Sequence, residues 1–317
     1  MYSLLQNISD QRLRNIQAAA YEIQVRLRDA LRGGLFRIAS GVLDSTEALR
    51  RRLIDNQAPG LASMIARLSD LDSDSRFWKR EFVGSIARIY MIASAICNIE
   101  TLPVEWQNEL LMLSGVSFPQ AEVLAADGIQ DTWLCLAATK SSFNSMTMIR
   151  TWFVGRACRR LACAIEYVAG THHMTSMLSP GTCYNSRFYF FPGIHSMRVL
   201  HNGISKSRQA FAPRAYDGLD TAFRICRRAF SDNPFMSDIP LVMSGLRLAR
   251  HDGQLHLADS LLRSFPILIS GRGEALLLSC TGGAVFSAFV VFHENFCEIV
   301  SVWAGGKYYV INNDPDR

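Results

Sequence analysis

The sequence predicts an α+β protein: a helical N-terminal bundle followed by a smaller part that ends in an antiparallel β meander. Apolar residues in the first part recur at spacings of three and four, which is the period of a helix packed on one side. The C-terminal part instead shows short β-rich runs separated by glycine-containing turns. We therefore expect a helical domain over residues 1–170 and a mixed α/β domain over residues 171–317.

The first helix is the clearest element of the N-terminal part. Ser9 is a good N-cap, the apolar positions from Leu13 to Leu31 keep helical spacing, and Gly33-Gly34 end the helix. Residues 143–169 predict a long helix whose arginines lie on a broad face. The other predicted helices cover 35–41, 45–56, 60–69 and 76–98, with short ones after Pro103 and at Ser117-Phe118-Pro119.

Near residue 170 the helical spacing of apolar residues gives way to loop residues and short β-rich runs. Arg187 to Phe191 predict a strand that stops at Pro192-Gly193, and two helices are expected at about 218–231 and 254–264. A four-stranded meander should follow, because hairpin-like turns interrupt the β-rich runs. Its predicted strands are Glu274–Cys280, Val285–Phe292, Phe296–Trp303 and Lys307–Asn312.

Bulk composition sets the class of protein. The 317 residues are 49% hydrophobic, which is ordinary for a globular chain, and no run reaches the roughly 18 apolar residues of a membrane span. The N-terminal residues lack the pattern of a secretory signal, and eight scattered cysteines suit a reducing compartment. We expect a cytoplasmic protein, or a virion protein if the source is viral, with no membrane partner.

Basic charge is concentrated in the middle of the chain. Residues 140–230 hold 13 basic and 3 acidic residues, a net charge of +10, whereas the flanks 1–139 and 231–317 carry −2 and −3. Of the 33 basic residues only four are lysine, a bias that suits buried interfaces and phosphate contacts, although a GC-rich genome produces it too. The candidate binding residues are Arg150, Arg156, Arg159, Arg160, Arg224, Arg227 and Arg228.

Two kinds of partner fit these arginines. Thirteen positive charges in this segment would attract a nucleic acid with a salt-dependent affinity, and interleaved aromatic residues could stack on bases. Alternatively the arginines pair with acidic residues of the flanks or of neighbouring subunits, in a homo- or hetero-oligomer. We favour protein subunits as the partners and keep nucleic acid as the second candidate.

The order of elements in the C-terminal third resembles that of papain-like cysteine hydrolases, in which a nucleophile helix precedes an antiparallel sheet. The segment from Tyr216 to Arg224 stands where such a helix would begin, and Lys307 to Pro315 resembles the strand that orients the histidine. The sequence departs from this pattern at the nucleophile, which is Asp220, and at the histidine, which is Ala284. An active or degenerate hydrolase-like protein is the alternative hypothesis, and we assign no catalytic residue.

Other chemistries have weak signals. His172, His173, Cys183, His195 and His201 fall close in sequence, but their spacing matches no zinc motif. Gly271-Arg272-Gly273 is a lone G-x-G, which we interpret as a turn between strands, and no phosphate-binding loop motif is present. We predict neither a metal site nor a cofactor.

The leading hypothesis is a non-enzymatic structural or assembly protein. Its concrete form is a subunit of a large shell, such as a viral capsid layer or a clamp protein, close to packaged nucleic acid. A nucleic-acid-binding module is a further alternative. The hypothesis rests on the arginine excess and on the lack of a catalytic constellation in the sequence.

Overall fold

The computed structural model describes residues 2–33, 47–69, 71, 78–143, 146–169 and 178–311. Helices occupy the N-terminal part and β-rich structure the remainder, so the predicted α+β class is confirmed. The chain forms two compact units. Unit 1 comprises Met1–Glu122, Pro192–His195 and Asn233–Phe235, and unit 2 comprises Val123–Phe191, Ser196–Asp232 and Met236–Arg317.

Unit 1 is a helical bundle built as its apolar spacing predicts. The long second helix buries Ile16, Ala20, Ile23 and Leu27, which recur every three or four residues along one face. The predicted helix at 35–41 lies outside the described residues. The helices are α1 Leu4–Asn7, α2 Asp10–Gly33, α3 47–55, α4 Pro59–Ser69, α5 Trp78–Cys97, the 3₁₀ turn Ile99–Thr101, α6 Val104–Ser114 and α7 Gln120–Leu124. Within the described residues, every helix is too short or too polar to cross a lipid bilayer.

The helical part ends at Leu124, well before the predicted residue 170. The long helix predicted over 143–169 is wrong, since these described residues form two strands joined by a hairpin. Both faces of the strands are buried, so their apolar residues do not alternate with polar ones, and a short apolar run of this kind resembles a buried helix. The strands are β1 Ile129–Phe143, β2 Met146–Gly155, β3 Leu161–Ala169, β4 Cys183–Phe190, β5 Arg198–His201 and β6 Ser205–Lys206.

The first five of these strands close into a barrel. Strand β1 pairs with β2 through its C-terminal part and with β4 through its N-terminal part, and the circle is completed through β3 and β5. The β3–β5 pair is parallel, whereas the other barrel pairs are antiparallel. This connectivity is that of an OB-type barrel. Trp133, Phe153 and Phe188 fill its interior, with the Trp133 and Phe188 rings stacked at 4.3 Å between centroids.

A second sheet covers one side of the barrel. Its strand order is β10-β9-β8-β11-β12-β13, and β7 pairs with β8 in parallel. Its strands and helices are β7 Tyr216–Asp217, α8 Leu219–Asp232, β8 Ile239–His251, β9 Gln254–Ala258, β10 Ser264–Pro266, α9 Gly271–Thr281, β11 Phe286–Phe292, β12 Cys297–Ala304 and β13 Lys307–Val310.

Alternate side chains of β11 point to two different cores, which gives unit 2 three layers. Phe289 and Val291 pack on the outer face of the barrel beside Trp152. Phe286 and Val290 pack on the opposite side, in the core that also contains α8 and α9 residues such as Leu219 and Leu277. The barrel and the two helices therefore lie on opposite faces of the second sheet.

Part of the predicted C-terminal topology is confirmed and part is wrong. The strands predicted at Val285–Phe292, Phe296–Trp303 and Lys307–Asn312 correspond to β11, β12 and β13, while β4 and α8 also match their predictions. The helix predicted at 254–264 is instead the β9–β10 hairpin, whose turn is held by the Asp259 carboxylate. The strand predicted at Glu274–Cys280 is α9, which Ser270 caps and Gly282 ends.

A β-bulge at Leu136 ties the barrel to the second sheet. The β1–β2 register shifts between Cys135 and Ala137, which leaves the Leu136 carbonyl outside the ladder. Ser301 Oγ donates to this carbonyl at 2.8 Å, and the Tyr308 hydroxyl donates to it as well. Without these two donors, the Leu136 carbonyl would be a buried acceptor with no hydrogen bond between two apolar layers.

Candidate functional site

Three of the predicted arginines meet on the hairpin between β2 and β3. Arg156, Arg159 and Arg160 are all exposed there. The Gly155 amide donates to the Arg160 carbonyl at 3.0 Å, and the Arg159 amide donates to the Gly155 carbonyl at 3.2 Å. We call residues 155–160 the arginine hairpin.

The carboxylate of Asp131 holds the arginine hairpin in shape. It accepts the backbone amides of Ala157 and Cys158 at 3.0 and 2.9 Å. Burial opposes ionisation of Asp131, but these hydrogen bonds from Cys158, Ala157 and Thr132 outweigh burial and lower the pKa of its carboxyl group. Gly155 is required beside it, because a Cβ there would lie 2.7 Å from Asp131 Oδ2.

The side chains of the hairpin have neutral neighbours. Arg156 Nη1 donates to Gln209 Oε1 at 2.6 Å, and the Arg160 guanidinium stacks over the Phe190 ring at 3.7 Å from its centroid. Within the described part of the chain, no carboxylate lies within ion-pair distance of the three hairpin guanidinium groups. The site therefore presents three exposed guanidinium groups on a backbone that Asp131 has already ordered.

Arg159 adopts a backbone conformation that arginine rarely adopts. Its φ is +56°, in the left-handed region where a side chain with a Cβ costs about 1–2 kcal/mol relative to glycine. A glycine at this position would form the same turn without strain. A charged residue is therefore present at a position where the fold alone favours glycine.

Arg150 does not belong to this site. It lies on β2, and its charge acts on Asp238, which faces His293 of the β11–β12 turn. His293 Nδ1 lies 3.4 Å from Asp238, and its Nε2 lies 3.5 Å from Glu298. Glu298 on β12, whose sequence context predicts only an edge-strand polar residue, is thus an ion-pair partner of His293. We call Arg150, Asp238, His293 and Glu298 the ionic cluster.

Opposing charges in the ionic cluster stabilise one another. Burial alone would lower the pKa of His293, but its close ion pairs with Asp238 and Glu298 raise it to about 9. Burial would likewise raise the pKa of Asp238, yet His293, Ser237 and Arg150 bring it down to about 2. At neutral pH the His293 imidazolium is therefore held between two carboxylates, an arrangement that stabilises the fold.

The remaining three predicted arginines lie on α8. Arg224 pairs with Asp220 at 3.6 Å, and Arg228 pairs with Asp232 at 3.7 Å, each four residues away on the same helix. Arg227 is exposed on the same helix. Since α8 and the barrel lie on opposite faces of the second sheet, the seven predicted residues do not form one site.

The positions of the hydrolase resemblance have structural roles. Asp220 lies in the first turn of α8 and forms ion pairs with Arg224 and, at 3.4 Å, with Arg263. Ala284 precedes β11. Burial raises the pKa of the Cys183 thiol, which disfavours the nucleophilic thiolate. Neither a thiol–imidazole pair nor an activated thiol is found at these positions.

The candidate metal residues give no site in the described structure. His172 and His173 lie outside the described residues, and among those described no group of three or more histidine, cysteine or acidic side chains could hold a metal ion. Burial lowers the pKa of His201, which packs against the Phe188 ring at 5.8 Å. The G-x-G segment is the first turn of α9 and not a turn between strands.

Several residues of the site escaped sequence reasoning. Asp131 lies 26 residues before Ala157 in sequence, so no local pattern connects its carboxylate with the hairpin. Gln209 is likewise distant from Arg156, and their contact depends on the fold. Phe190 was expected to lie in a strand, which is confirmed, but its stacking under Arg160 was not foreseen.

One comparison with known proteins gives a match. Residues 11–113 match the SWIM-associated four-helix bundle domain, a segment that covers about a third of the chain and coincides with helices of unit 1. No curated protein and no solved structure matches the chain. The comparison supports a helical bundle at the N-terminus and leaves unit 2 without a named relative.

Proposed function

We propose that this chain is a non-enzymatic binding protein that contacts nucleic acid through the arginine hairpin. The observation that carries the proposal is the presence of three exposed guanidinium groups on an ordered turn, with no carboxylate of the described residues in ion-pair distance. On helix α8 and in the β9–β10 hairpin, by contrast, Arg224, Arg228 and Arg263 have acidic partners.

The chemistry of the hairpin suits phosphate. A guanidinium group donates two parallel hydrogen bonds to a phosphate and is less strongly hydrated than an ammonium group. Asp131 fixes the backbone beforehand, so less conformational freedom is lost on binding. The strained φ of Arg159 supports the same interpretation, because a purely structural turn has no need of arginine there.

The fold adds an argument by analogy. OB-type barrels recurrently bind single-stranded nucleic acids with basic grooves and aromatic side chains. In this chain the outer face of β2 and β3 packs on the second sheet through Trp152 and Cys163, so that face is not available to a ligand. The arginine hairpin stands at one end of the barrel, outside the covered area.

The assembly role remains a separate proposal. A shell subunit or clamp protein near packaged nucleic acid would use the same hairpin, and the arginine-rich composition is the support for it. The hydrolase-like alternative has less support than nucleic-acid binding, because Asp220 forms ion pairs and burial raises the pKa of the Cys183 thiol. The experiment below separates nucleic-acid contact from subunit contact.

Two triple variants with equal charge change test the proposal. The first replaces Arg156, Arg159 and Arg160 by glutamine, and the control replaces Arg224, Arg227 and Arg228 by glutamine. We expect the hairpin variant to lose binding to a mixed-sequence oligonucleotide and to flatten the slope of log K against log salt by nearly one unit per lost contact. The control variant should keep most of the binding.

Native mass and salt titration give the deciding outcomes. Equal losses in both variants would mean that net charge alone drives binding, and would overturn the assignment to the hairpin. A hairpin variant that retains the oligonucleotide but lowers the assembled mass would indicate a protein interface instead. Circular dichroism of both variants checks that neither loss comes from unfolding.

A further inference from the structure

The barrel has a second outer face, which the second sheet does not cover. It is formed by the N-terminal part of β1 and by β4, where Thr132 is opposite Asn185 and Gln130 is opposite Arg187. The residues between them, Asp131 and Ser186, alternate to the other side. We call Gly128, Gln130, Thr132, Asn185, Arg187 and Tyr189 the barrel strip.

Gly128 shapes one end of the barrel strip. A Cβ at this position would lie 2.7 Å from Arg187 Cγ and 2.7 Å from Tyr189 Cε1. The stem of the arginine and the ring of the tyrosine therefore lie side by side against the glycine backbone. Arg187 is exposed and Tyr189 is half-buried, so this pair presents a cation and an aromatic ring together.

The other end of the barrel strip joins the arginine hairpin. The Arg156 amide donates to the Thr132 carbonyl at 2.9 Å, and Thr132 Oγ1 donates to Asn185 Oδ1 at 2.9 Å. At roughly 3.3 Å per residue, Gly128 and Thr132 are about 13 Å apart along the strand. Arg156 and Arg187 thus lie towards opposite ends of the strip, with the hydrogen-bonding side chains of Gln130, Thr132 and Asn185 between them.

We propose that the barrel strip is the path of a single-stranded nucleic acid, whose phosphates meet Arg156 and Arg187 and one of whose bases stacks on Tyr189. The inference rests on the proposed function of the hairpin and adds the class of nucleic acid. An aromatic ring can stack only on a base that is unpaired, while a duplex offers its phosphates without its base faces. The strip therefore selects single strands.

The test compares Tyr189→Leu with Tyr216→Leu, which removes a partly exposed tyrosine of β7 in the second sheet. Binding is measured with a single-stranded oligonucleotide and with the duplex of the same sequence. We expect Tyr189→Leu to weaken single-strand binding at least about 5-fold and to leave duplex binding and the salt slope unchanged. Tyr216→Leu should change neither affinity.

Arg187→Gln and Gly128→Ala complete the design. The first should lower the salt slope by nearly one unit, because it removes a phosphate contact. The second should weaken single-strand binding with no change of charge, because its Cβ displaces Arg187 and Tyr189. Circular dichroism shows whether each variant is folded.

The outcomes separate this inference from the proposed function. One outcome is that the hairpin triple variant loses binding while Tyr189→Leu and Arg187→Gln bind as the parent does. In that case nucleic acid does not follow the barrel strip, and the proposed contact with the arginine hairpin is retained. Equal weakening of duplex and single-strand binding by Tyr189→Leu would also overturn the stacking contact. If the parent protein binds no oligonucleotide, both proposals fail.

Discussion

The arginine hairpin and helix α8 each carry three arginines, yet their surroundings differ. On α8, acidic residues four positions away neutralise Arg224 and Arg228. On the hairpin, the nearby carboxylate of Asp131 accepts backbone amides and pairs with none of the guanidinium groups. The number of arginines in a segment therefore does not determine the electrostatic potential at its surface, because nearby carboxylates can neutralise the positive charges.

Arg150 adds a third setting, in which a half-buried arginine lies near a buried ion-paired group. In the ionic cluster His293 lies against Asp238 and Glu298, and the charge of Arg150 acts on Asp238 as well, so this arginine supports an internal ion pair. The three settings predict different responses to mutation: stability for the cluster, binding for the hairpin and little of either for α8.

The largest effect on stability is expected from His293→Gln. Raising a histidine pKa from 6.5 to about 9 corresponds to roughly 3 kcal/mol of stabilisation of the folded state. That contribution is complete below pH 6.5 and is lost as the pH rises through about 9. Urea unfolding from pH 6 to pH 10 should show this decline in the parent protein and a flatter profile in the variant.

His251→Gln is the matched control, since the His251 side chain is 70% exposed and pairs with Asp252 at 3.4 Å. It should change the free energy of unfolding by less than about 0.5 kcal/mol. Oligonucleotide binding should survive in both variants if the ionic cluster is structural. A His293→Gln variant as stable as the parent at pH 7 would contradict the assignment.

A middle-sized effect is expected from Asp131→Ala. The change leaves the Ala157 and Cys158 amides without their acceptor, at a cost of about 1–3 kcal/mol. The loosened hairpin should also bind an oligonucleotide more weakly, although the variant is more positive by one charge. Asp127→Ala makes the same charge change at an exposed loop position. If both variants bind alike, the order of the hairpin does not matter for binding.

A smaller effect, of opposite sign, is expected from Arg159→Gly. Glycine relieves the left-handed strain at φ +56°, but it also has more conformational freedom in the unfolded chain, which opposes folding. Once this entropic cost is subtracted, we expect a gain of about 0.5–1 kcal/mol in the free energy of unfolding. Oligonucleotide binding should weaken at the same time. Arg159→Gln removes the charge and keeps the strain, so it should weaken binding equally and give no gain in stability.

The smallest effect is expected on α8. Arg228→Gln removes a 3.7 Å pair between exposed side chains, which contributes at most about 0.5 kcal/mol. Binding to the oligonucleotide should stay within twofold of the parent. A large loss of affinity would show that α8, and not the hairpin alone, meets the polyanion.

Helical spacing predicted unit 1 well because each of its helices buries one face. Barrel strands β1 to β3 were missed for a physical reason: Trp133 and Phe153 face the interior while Leu134 and Trp152 face the second sheet. With both faces buried, the alternation that marks a half-exposed strand disappears. Strands β11 to β13 were predicted from the glycine-containing and polar turns between them. The same glycine cue misled at α9, where Gly282 ends a helix.

The candidate site could be predicted only as a set of residues. Charge counting identified Arg156, Arg159 and Arg160 but placed them on a helix, because the hairpin contains no proline, asparagine or aspartate to mark a turn. Its turn is fixed by Asp131 from another strand. Long-range contacts of this kind carry no local signature in the sequence.

The bonds to the Leu136 carbonyl bear on how the protein is made. Strands β1 to β5 end at His201, whereas the donors Ser301 and Tyr308 belong to the last two strands described. At a synthesis rate of about 5–20 residues per second, a ribosome needs roughly 5–20 s to add the residues between the barrel and Tyr308. During that interval Trp152 and its apolar neighbours lack their cover. A nascent barrel therefore exposes an apolar surface to solvent. We expect chaperones to bind this surface until β11 to β13 emerge and cover it.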